Sequence, residues 1–478
     1  MIKYYATHKQ AQVRKRKGFI PNPTLVLFAF ATAFFPRIIE SVGAPAPINF
    51  LHFFTVPLVF AITLFNSRRK SYLQLNAVKS IIIGLYFFLV CILTSAFINE
   101  AGLINSILEF LLLGEPFLLL IAIVIISMDG KKIINFKKII IGSSFIHLFL
   151  AYIQKYLLKV ETWSGIALEP PDRIQGVFFL SSAGHVVGGA VSLSFGVYFL
   201  ITEKKRPLWI RLIVFLSAIW HILIADAKQI ILIFMVAGVL FILFKFNNIV
   251  DAVRYLVGGI LLGLVFLWCI QNLEVFSAFN TWIRPEIYGP QGEATLLKTA
   301  TFRIVPTHYE SILNWLFGLG PGHTVTRLGG WMIGQYYDFL NPLGVTTRIA
   351  SKEVWHAVGS SWLGSQSSLF SPLFTWAGIW GDLGFLGLAS YLYLALLVWH
   401  HFCLEDFSKF LLLTVFVSGL IMSQMEEPGY MLFVATIIGL QWQEKQIQVN
   451  HGIKLSNKKE ISYLSGKQFI EGKDSGAR

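Results

Sequence analysis

The chain contains 478 residues, of which 55% are hydrophobic and only 14% are charged. A soluble protein would carry about a quarter charged residues, so the composition excludes an ordinary soluble enzyme. It predicts an all-α polytopic membrane protein. The formal net charge of +13 would indicate nucleic-acid binding in a soluble chain, but Lys and Arg also accumulate in the cytoplasmic loops of membrane proteins.

The cysteines do not have the spacing of a disulfide framework or a zinc site. Cys91, Cys269 and Cys403 lie in or beside apolar runs, without a CxxC pair or a Cys/His cluster. The carboxylates likewise show no cluster spaced for a metal ion. We therefore expect no metal and no cofactor.

Apolar runs long enough for membrane helices recur along the chain. A membrane-spanning helix needs about 20 mainly apolar residues. Twelve segments qualify, of which the last two are short: 20–39, 48–66, 80–98, 103–127, 139–157, 177–201, 208–225, 229–246, 253–273, 372–399, 408–424 and 429–442. They divide the chain into a basic N-terminus (1–19), nine spans (20–275), a polar loop (276–371), three further spans (372–442) and a Lys-rich tail (443–478).

The distribution of basic residues predicts the orientation of the spans. If both termini are cytoplasmic, 28 of the 39 Lys and Arg residues lie on the cytoplasmic side. The reverse orientation would break the positive-inside rule at nearly every short loop. We expect cytoplasmic termini, the 276–371 loop on the outer face, and no nucleic-acid partner.

The 276–371 loop carries most of the ionisable residues expected outside the cytoplasm. Among them, His308, Glu310 and His323 have side chains that can act as a general base on a hydroxyl group. A lone histidine is more often structural than catalytic, so the three remain alternatives. The turn GLGPG at 318–322 lacks the Lys-Ser/Thr of a P-loop, and an outer-face loop would not meet ATP.

Three other outer segments also carry charges. Arg173, in PPDRIQG, is either a lipid-headgroup anchor or a ligand contact. Lys228 either pairs locally with Asp226 or lines a polar cavity, since ionisable groups at membrane depth are functional candidates. The last outer segment is the short sequence at 426–429, Glu-Glu-Pro-Gly.

Four stretches in this order resemble a known family. Residues 173–200 open with Arg-x-x-Gly before a helix, and residues 224–240 hold a short cationic turn. Residues 302–322 contain Arg, Trp and Gly-x-Gly-Pro-Gly, and residues 384–388 read Gly-x-x-Gly-Leu. Together they resemble the O-antigen ligase/polymerase superfamily of bacterial polysaccharide enzymes, which includes Wzy-type polymerases.

Two departures from the family pattern bear on the reaction. Ala227-Lys228 stands where the family has Ser-Arg, so a cation is kept without the guanidinium fork. Residues 364–368 lack the His-containing pair of the ligase branch, which favours the polymerase branch. A ligase that transfers a lipid-linked glycan to an acceptor remains an alternative.

The resemblance implies a fold of about 12 transmembrane helices (GT-C-like) with one long external loop between helices 9 and 10. It implies a polyprenyl-pyrophosphate-linked glycan donor and a glycan acceptor at the outer face of the bacterial inner membrane. A chain-length regulator and the lipid bilayer are the further expected partners.

The predicted reaction needs cations that bind the leaving group. Negative charge grows on the lipid pyrophosphate as the acceptor hydroxyl attacks, and guanidinium groups match phosphate oxygens. We expect Arg173, Lys228 and Arg303 to bind the pyrophosphate, with Arg327 and Arg348 as further candidates.

Transport is the alternative outside the enzyme class. A flippase of lipid-linked sugars would also have many spans, but such transporters often contain paired repeats with broken helices. No internal repeat stands out, and the ionisable residues gather in one loop. A non-enzymatic membrane scaffold is the least specific alternative.

The sequence predicts transfer that is independent of metal ions. Excess chelator should leave glycan synthesis by the purified protein unchanged within experimental error. Loss of synthesis in chelator, restored by a divalent ion, would contradict this prediction.

Overall fold

A computed structural model of the chain describes residues 21–66, 72–166, 168–181, 183–245, 249–276, 278–282, 284–366, 368–370 and 374–471. Every regular element in these residues is a helix, which confirms the all-α prediction. The predicted basic N-terminus, 1–19, lies outside the described residues.

Twelve helices of more than twelve residues form the framework of the described chain. They are α1 (Asn22–Phe34), α2 (Leu51–Asn66), α3 (Tyr72–Ile98), α4 (Leu103–Ile125), α5 (Gly130–Tyr152), α6 (Gly184–Thr202), α7 (Leu208–Ile224), α8 (Gln229–Leu243), α9 (Ile249–Asn272), α10 (Thr375–His401), α11 (Asp406–Ile421) and α12 (Pro428–Glu471). Each overlaps one of the twelve apolar segments.

Six helical stretches in the described residues are long and apolar enough to cross a membrane. These are Ala46–Asn66, Gln74–Ile98, Leu103–Ile125, Gly130–Leu157, Gly184–Thr202 and Thr375–His401. A membrane protein follows from their length and composition. Crossing by the other six helices stays a prediction.

The segment between α9 and α10 folds into short helices. In its described part they are Ala278–Trp282, Glu293–Lys298, Ala300–Ile304, Ile312–Phe317, Ile333–Gln335, Tyr337–Leu340, Ile349–Gly359 and Trp362–Gln366. Leu297, Val305, Val354 and Leu363 bury their side chains in one cluster that includes Trp380 of α10. Burial of these apolar side chains therefore stabilises the segment and packs it against α10.

Helices α4 and α6 lie innermost in the bundle. In each, 83% of the most apolar 18-residue stretch is buried. Helix α4 packs against α1, α2, α3 and α12, and α6 packs against α5, α7, α8 and α12. The polar residues of α4, including Glu109 and Glu115, are consequently placed inside the protein.

Two helices depart from the boundaries that the apolar pattern predicts. Helix α12 does not end near residue 442 but continues to Glu471, because polar residues can extend a helix that leaves the apolar region. Helix α10 is kinked at Gly384, where φ is +65° and ψ is −165°. A side chain there would overlap the main chain of Leu316, so glycine permits helix Ile312–Phe317 to approach α10.

Substituting Gly384 with alanine should loosen this contact. The backbone region is almost restricted to glycine, and strain there costs about 1–3 kcal/mol, to which the overlap with Leu316 adds. We expect Gly384→Ala to lower the melting temperature in detergent by several degrees.

Gly238→Ala is the matched control, since Gly238 lies within α8 with no neighbour near the added carbon. It should leave the melting temperature unchanged or raise it slightly, because alanine favours helix. Equal melting temperatures for both variants would argue against the role given to Gly384.

Candidate functional site

Asp382, on α10, organises the glycine-rich turn of the loop. Its Oδ1 accepts hydrogen bonds from the amide of Thr324 at 2.7 Å and the hydroxyl of Thr324 at 2.6 Å. Its Oδ2 accepts from the amide of Gly322 and the hydroxyl of Thr326, both at 2.8 Å. The carboxylate is fully buried and carries four hydrogen bonds, the condition under which a buried charge is tolerated.

The same turn is held by the main chain of Asp382. Its carbonyl oxygen accepts from the hydroxyl of Ser95 at 2.8 Å and from the amide of Gly320 at 3.0 Å. Gly318 has a φ of +71°, and a side chain there would overlap the main chain of Asp382. The amides of Gly320 and Gly322 are thus used inside the protein, which accounts for the GLGPG turn structurally.

Arg327 lies five residues after this turn, and 12% of its side chain is exposed. Its amide donates to Oε2 of Glu426 at 2.5 Å, and its guanidinium pairs with the carboxylate of Glu427. The guanidinium also lies over the ring of Trp331, 4.7 Å from the ring centre. Burial, together with the nearby charge of Arg37, lowers the pKa of Arg327 to about 10, so the group remains cationic at neutral pH.

A cavity of about 70 Å³ opens beside Arg327. Its wall combines residues of the first two helices, the 173–187 segment, the loop and the start of α12: Ala33, Pro36, Arg37, Asn49, Phe50, His52, Phe53, Leu112, Phe178, Ser181, Val187, Arg327, Trp331, Met332, Tyr336, Glu427, Pro428 and Gly429. The loop and the helical bundle therefore share this site. We call it the arginine cavity.

Arg37 is the second guanidinium of the arginine cavity. It lies in the short helix Pro36–Ser41 after α1. Its Nη1 donates to Glu40 at 3.1 Å and its Nη2 donates to the hydroxyl of Tyr336 at 3.3 Å. Only 17% of its side chain is exposed. Two guanidinium groups on one small cavity have the chemistry to pair with the oxygens of a multiply charged anion.

Three further carboxylates lie behind the cavity. Glu426 is buried, and this burial raises its pKa to about 8. Glu115 pairs with His52 at 2.7 Å. Neither carboxylate oxygen of Glu109 has a hydrogen-bond partner among the described residues. No three His, Cys, Asp or Glu side chains in the described part of the chain are arranged to hold a metal ion.

The side chain of Arg173 forms hydrogen bonds with residues that precede it in the same segment. Its guanidinium donates to the main-chain oxygens of Val160, Glu161, Trp163, Ile166 and Leu168, at 2.5 to 3.5 Å. Only 8% of the residue is exposed. In this conformation Arg173 ties together residues 160–166 and Leu168, and its hydrogen-bonding groups are occupied by carbonyl oxygens.

Lys228 pairs locally, as one of the two sequence alternatives predicts. Its Nζ lies 2.7 Å from Oδ1 of Asp226. Asp226 also acts on Asp172, which directly precedes Arg173: burial, with repulsion from Asp226 and Glu169, raises the pKa of Asp172 to about 7. Two of the predicted outer segments therefore converge with each other, although neither Arg173 nor Lys228 lines the arginine cavity.

Arg303 and Arg348 lie elsewhere in the loop. Arg303 is exposed and donates to the carbonyl of Leu296 at 2.7 Å and the hydroxyl of Thr299 at 3.3 Å. Arg348 donates to the carbonyl of Asn99 at 3.3 Å. Of the five predicted pyrophosphate ligands, Arg327 is the one that lines the arginine cavity.

The three candidate bases occupy different surroundings. His308 pairs with Glu353 at 2.7 Å, and Glu310 is exposed. His323 is buried, with Nδ1 2.8 Å from the carbonyl of Leu319 and Nε2 2.8 Å from the hydroxyl of Thr346. Burial lowers the pKa of His323 to about 4. None of these three described residues lines the arginine cavity.

An apolar groove of about 440 Å³ has Met425 in its wall. Helices α4, α10, α11 and α12 form most of it: Pro116, Phe117, Leu120, Trp376, Tyr391, Leu392, Ala395, Leu396, Val398, Trp399, His400, Leu412, Leu413, Val415, Phe416, Met431, Val434, Ala435 and Ile438, with Phe244 and Met425. Met425 lines this groove and Glu427 lines the arginine cavity, so an apolar and a charged space are neighbours in the fold.

No known family model matches the chain, and neither does any curated protein. The likeness to the O-antigen ligase/polymerase superfamily thus stays a prediction from the quoted motifs. The functional argument depends on the residues of the arginine cavity.

Replacing Asp382 tests the organisation of this site. Asp382→Ala removes the acceptor for two amides and two hydroxyls, and each buried donor left unpaired costs about 1–3 kcal/mol. We expect lower thermal stability and faster proteolysis within the loop. Asp338→Asn, at an exposed position of the same loop, is the control and should behave like the wild type. Wild-type proteolysis of Asp382→Ala would contradict the role of Asp382.

Proposed function

We propose that this protein polymerises polyprenyl-pyrophosphate-linked oligosaccharide repeat units into a surface polysaccharide. The reaction takes place at the outer face of the bacterial inner membrane, and both termini lie in the cytoplasm. The observation that carries the proposal is the pair of guanidinium groups, Arg37 and Arg327, on one cavity shared by the loop and the helical bundle.

The arginine cavity suits the diphosphate of such a donor. Arg37 and Arg327 are positioned beforehand, by Glu40 with Tyr336 and by Glu427 respectively. As the bond between the sugar and the phosphate breaks, negative charge grows on the diphosphate. Cations held in place before the reaction stabilise that charge without a reorganisation cost.

The aromatic residues of the cavity suit a sugar. Trp331 and Tyr336 belong to the loop, with ring centres 6.0 Å apart and planes nearly perpendicular. Their faces and edges form an amphipathic wall, to which the hydroxyl of Tyr336 adds a polar group. We assign the sugar next to the diphosphate to this wall.

The apolar groove suits the polyprenyl chain. It lies between α4, α10, α11 and α12, and Met425 in its wall is two residues from Glu427 of the arginine cavity. Burial of a chain in the groove contributes roughly 25 cal/mol for each Å² of apolar surface removed from water. A donor with a charged head and an apolar tail would fill both spaces at once.

Arg37 provides the sharper mutational test of the diphosphate site. In reconstituted membranes with a lipid-linked repeat unit, Arg37→Gln should lower the rate of glycan extension by about 100-fold, the typical loss of one charge-stabilising donor. The measurement is the rate of polymer formation on a gel. Wild-type extension by Arg37→Gln would overturn the assignment of the cavity.

Two comparison variants complete this experiment. Lys352→Ala removes an exposed cation of the loop and should extend glycans normally. Arg303→Ala tests the assignment made from the sequence. If Arg303→Ala abolishes extension and Arg37→Gln does not, the diphosphate lies at the Arg303 helix and not in the arginine cavity.

The groove assignment predicts an effect that depends on the length of the lipid. Ala395→Trp places an indole in the groove and should raise the KM for a long-chain donor severalfold. The KM for a donor with only two isoprene units should remain unchanged, because a short tail does not reach residue 395. Equal effects on both donors would contradict the assignment.

Deletion of the gene separates polymerisation from ligation. Loss of a polymerase leaves single repeat units on the lipid carrier, whereas loss of a ligase leaves long lipid-linked polymer. We expect single repeat units on a gel of extracted glycans.

A further inference from the structure

We propose that Glu427 is the general base of the transfer and that the donor diphosphate releases it from Arg327. The inference rests on the proposed function and assigns a role that sequence motifs did not.

Glu427 is the one carboxylate among the described residues that line the arginine cavity. It is 5% exposed, and its side chain pairs with Arg327. His52 is the one histidine among those residues, and its Nδ1 is held by Glu115 at 2.7 Å. Glu427 is therefore the residue best placed to accept a proton within the cavity.

The main chain of Glu427 is fixed from both sides. Its amide donates to the carbonyl of Gln424 at 3.2 Å. Its carbonyl accepts from the amides of Tyr430 at 3.1 Å and Met431 at 2.9 Å, in the first turn of α12. Pro428 occupies the first position of that helix, where proline is favoured. The carboxylate can consequently change partners while its backbone stays in place.

The ion pair with Arg327 would be exchanged when the donor binds. A diphosphate carries more negative charge than a carboxylate and offers several oxygens to the guanidinium fork. Arg37, on the same cavity, attracts the diphosphate further. Once the diphosphate occupies Arg327, Glu427 has lost its cation and lies next to the sugar that reacts. Donor binding therefore frees the carboxylate of Glu427 to accept the proton of the acceptor hydroxyl.

The charged and titratable groups around Glu427 are compatible with this exchange. Arg327, Tyr336, Arg37 and His52 line the same cavity as Glu427. Glu40 holds Arg37, and Glu115 holds His52. Glu426 is turned toward the amide of Arg327. Thus Arg327 is the cation that neutralises Glu427 before the donor arrives.

The transfer forms one bond at the anomeric carbon and breaks another. The oxygen of the acceptor hydroxyl forms a bond to the anomeric carbon of the donor sugar. The bond from that carbon to the phosphate oxygen breaks, and its electron pair leaves with the polyprenyl diphosphate. The hydroxyl proton moves to the carboxylate of Glu427, which later returns it to water.

Glu427→Gln tests the role because it keeps the shape and removes the basic group. Loss of a general base typically lowers the rate by 10²- to 10⁴-fold, so kcat should fall at least about 100-fold. The KM for the donor should stay the same or fall, since the competing charge at Arg327 is gone. A purely structural role would instead raise KM and leave kcat largely intact.

Two further variants accompany this measurement. Glu427→Asp keeps a carboxylate one methylene shorter and should recover part of kcat. Glu405→Gln removes a carboxylate of an exposed ion pair with Lys445, 2.8 Å long, and should match the wild type. A kcat for Glu427→Gln within threefold of the wild type would overturn the proposal. If Glu427→Gln does not fold, Glu427→Asp takes its place: a lowered kcat at unchanged KM supports the base, and a raised KM with kcat unchanged overturns it.

Binding of polyprenyl diphosphate without a sugar separates this proposal from the proposed function. If the wild type forms no polymer, the function is wrong. The exchange at Arg327 would still predict tighter binding of the diphosphate lipid to Glu427→Gln than to the wild type. Equal or weaker binding by Glu427→Gln would contradict the exchange itself.

Discussion

The four hydrogen bonds that Asp382 accepts from the loop determine the rest of the site. A buried carboxylate on a membrane-type helix is costly unless such donors satisfy it. Here Gly322, Thr324 and Thr326 provide them, so the loop is anchored to α10 by a charge as well as by apolar contacts. Because Arg327 follows Thr326 directly, this anchor also sets the position of its guanidinium at the cavity.

Charge compensation is local throughout the arginine cavity. Arg37 has Glu40, and Arg327 has Glu427. Such pairs tolerate burial when each partner is satisfied, and removing one partner leaves a buried charge. In the proposed reaction, an anion replaces one of these carboxylates. In the proposal, Arg327 therefore pairs with Glu427 before the donor binds and with the diphosphate afterwards.

Several features of the candidate site could not be predicted from the motifs, for different physical reasons. Arg173 was expected to reach a ligand, yet five nearby carbonyl oxygens receive its hydrogen bonds, and a sequence does not show which acceptors a folded segment presents. Arg37 lies 290 residues before Arg327 in the chain, and Glu427 lies 100 residues after it. The one signal for Asp382 was an isolated acid within an apolar helix, which is rarely placed without a function.

The sequence alone determined that the chain is all-helical and of membrane type, and where its apolar helices lie, because length and hydropathy are local properties that burial in a bilayer demands. It also predicted that cations from the loop and from other outer segments would bind one ligand, which stays a prediction. Only the tertiary structure decided which ionisable groups meet there. Contacts such as Asp382 with Thr324, or Glu427 with Arg327, depend on how helices pack, and that packing arises from the whole set of apolar surfaces together.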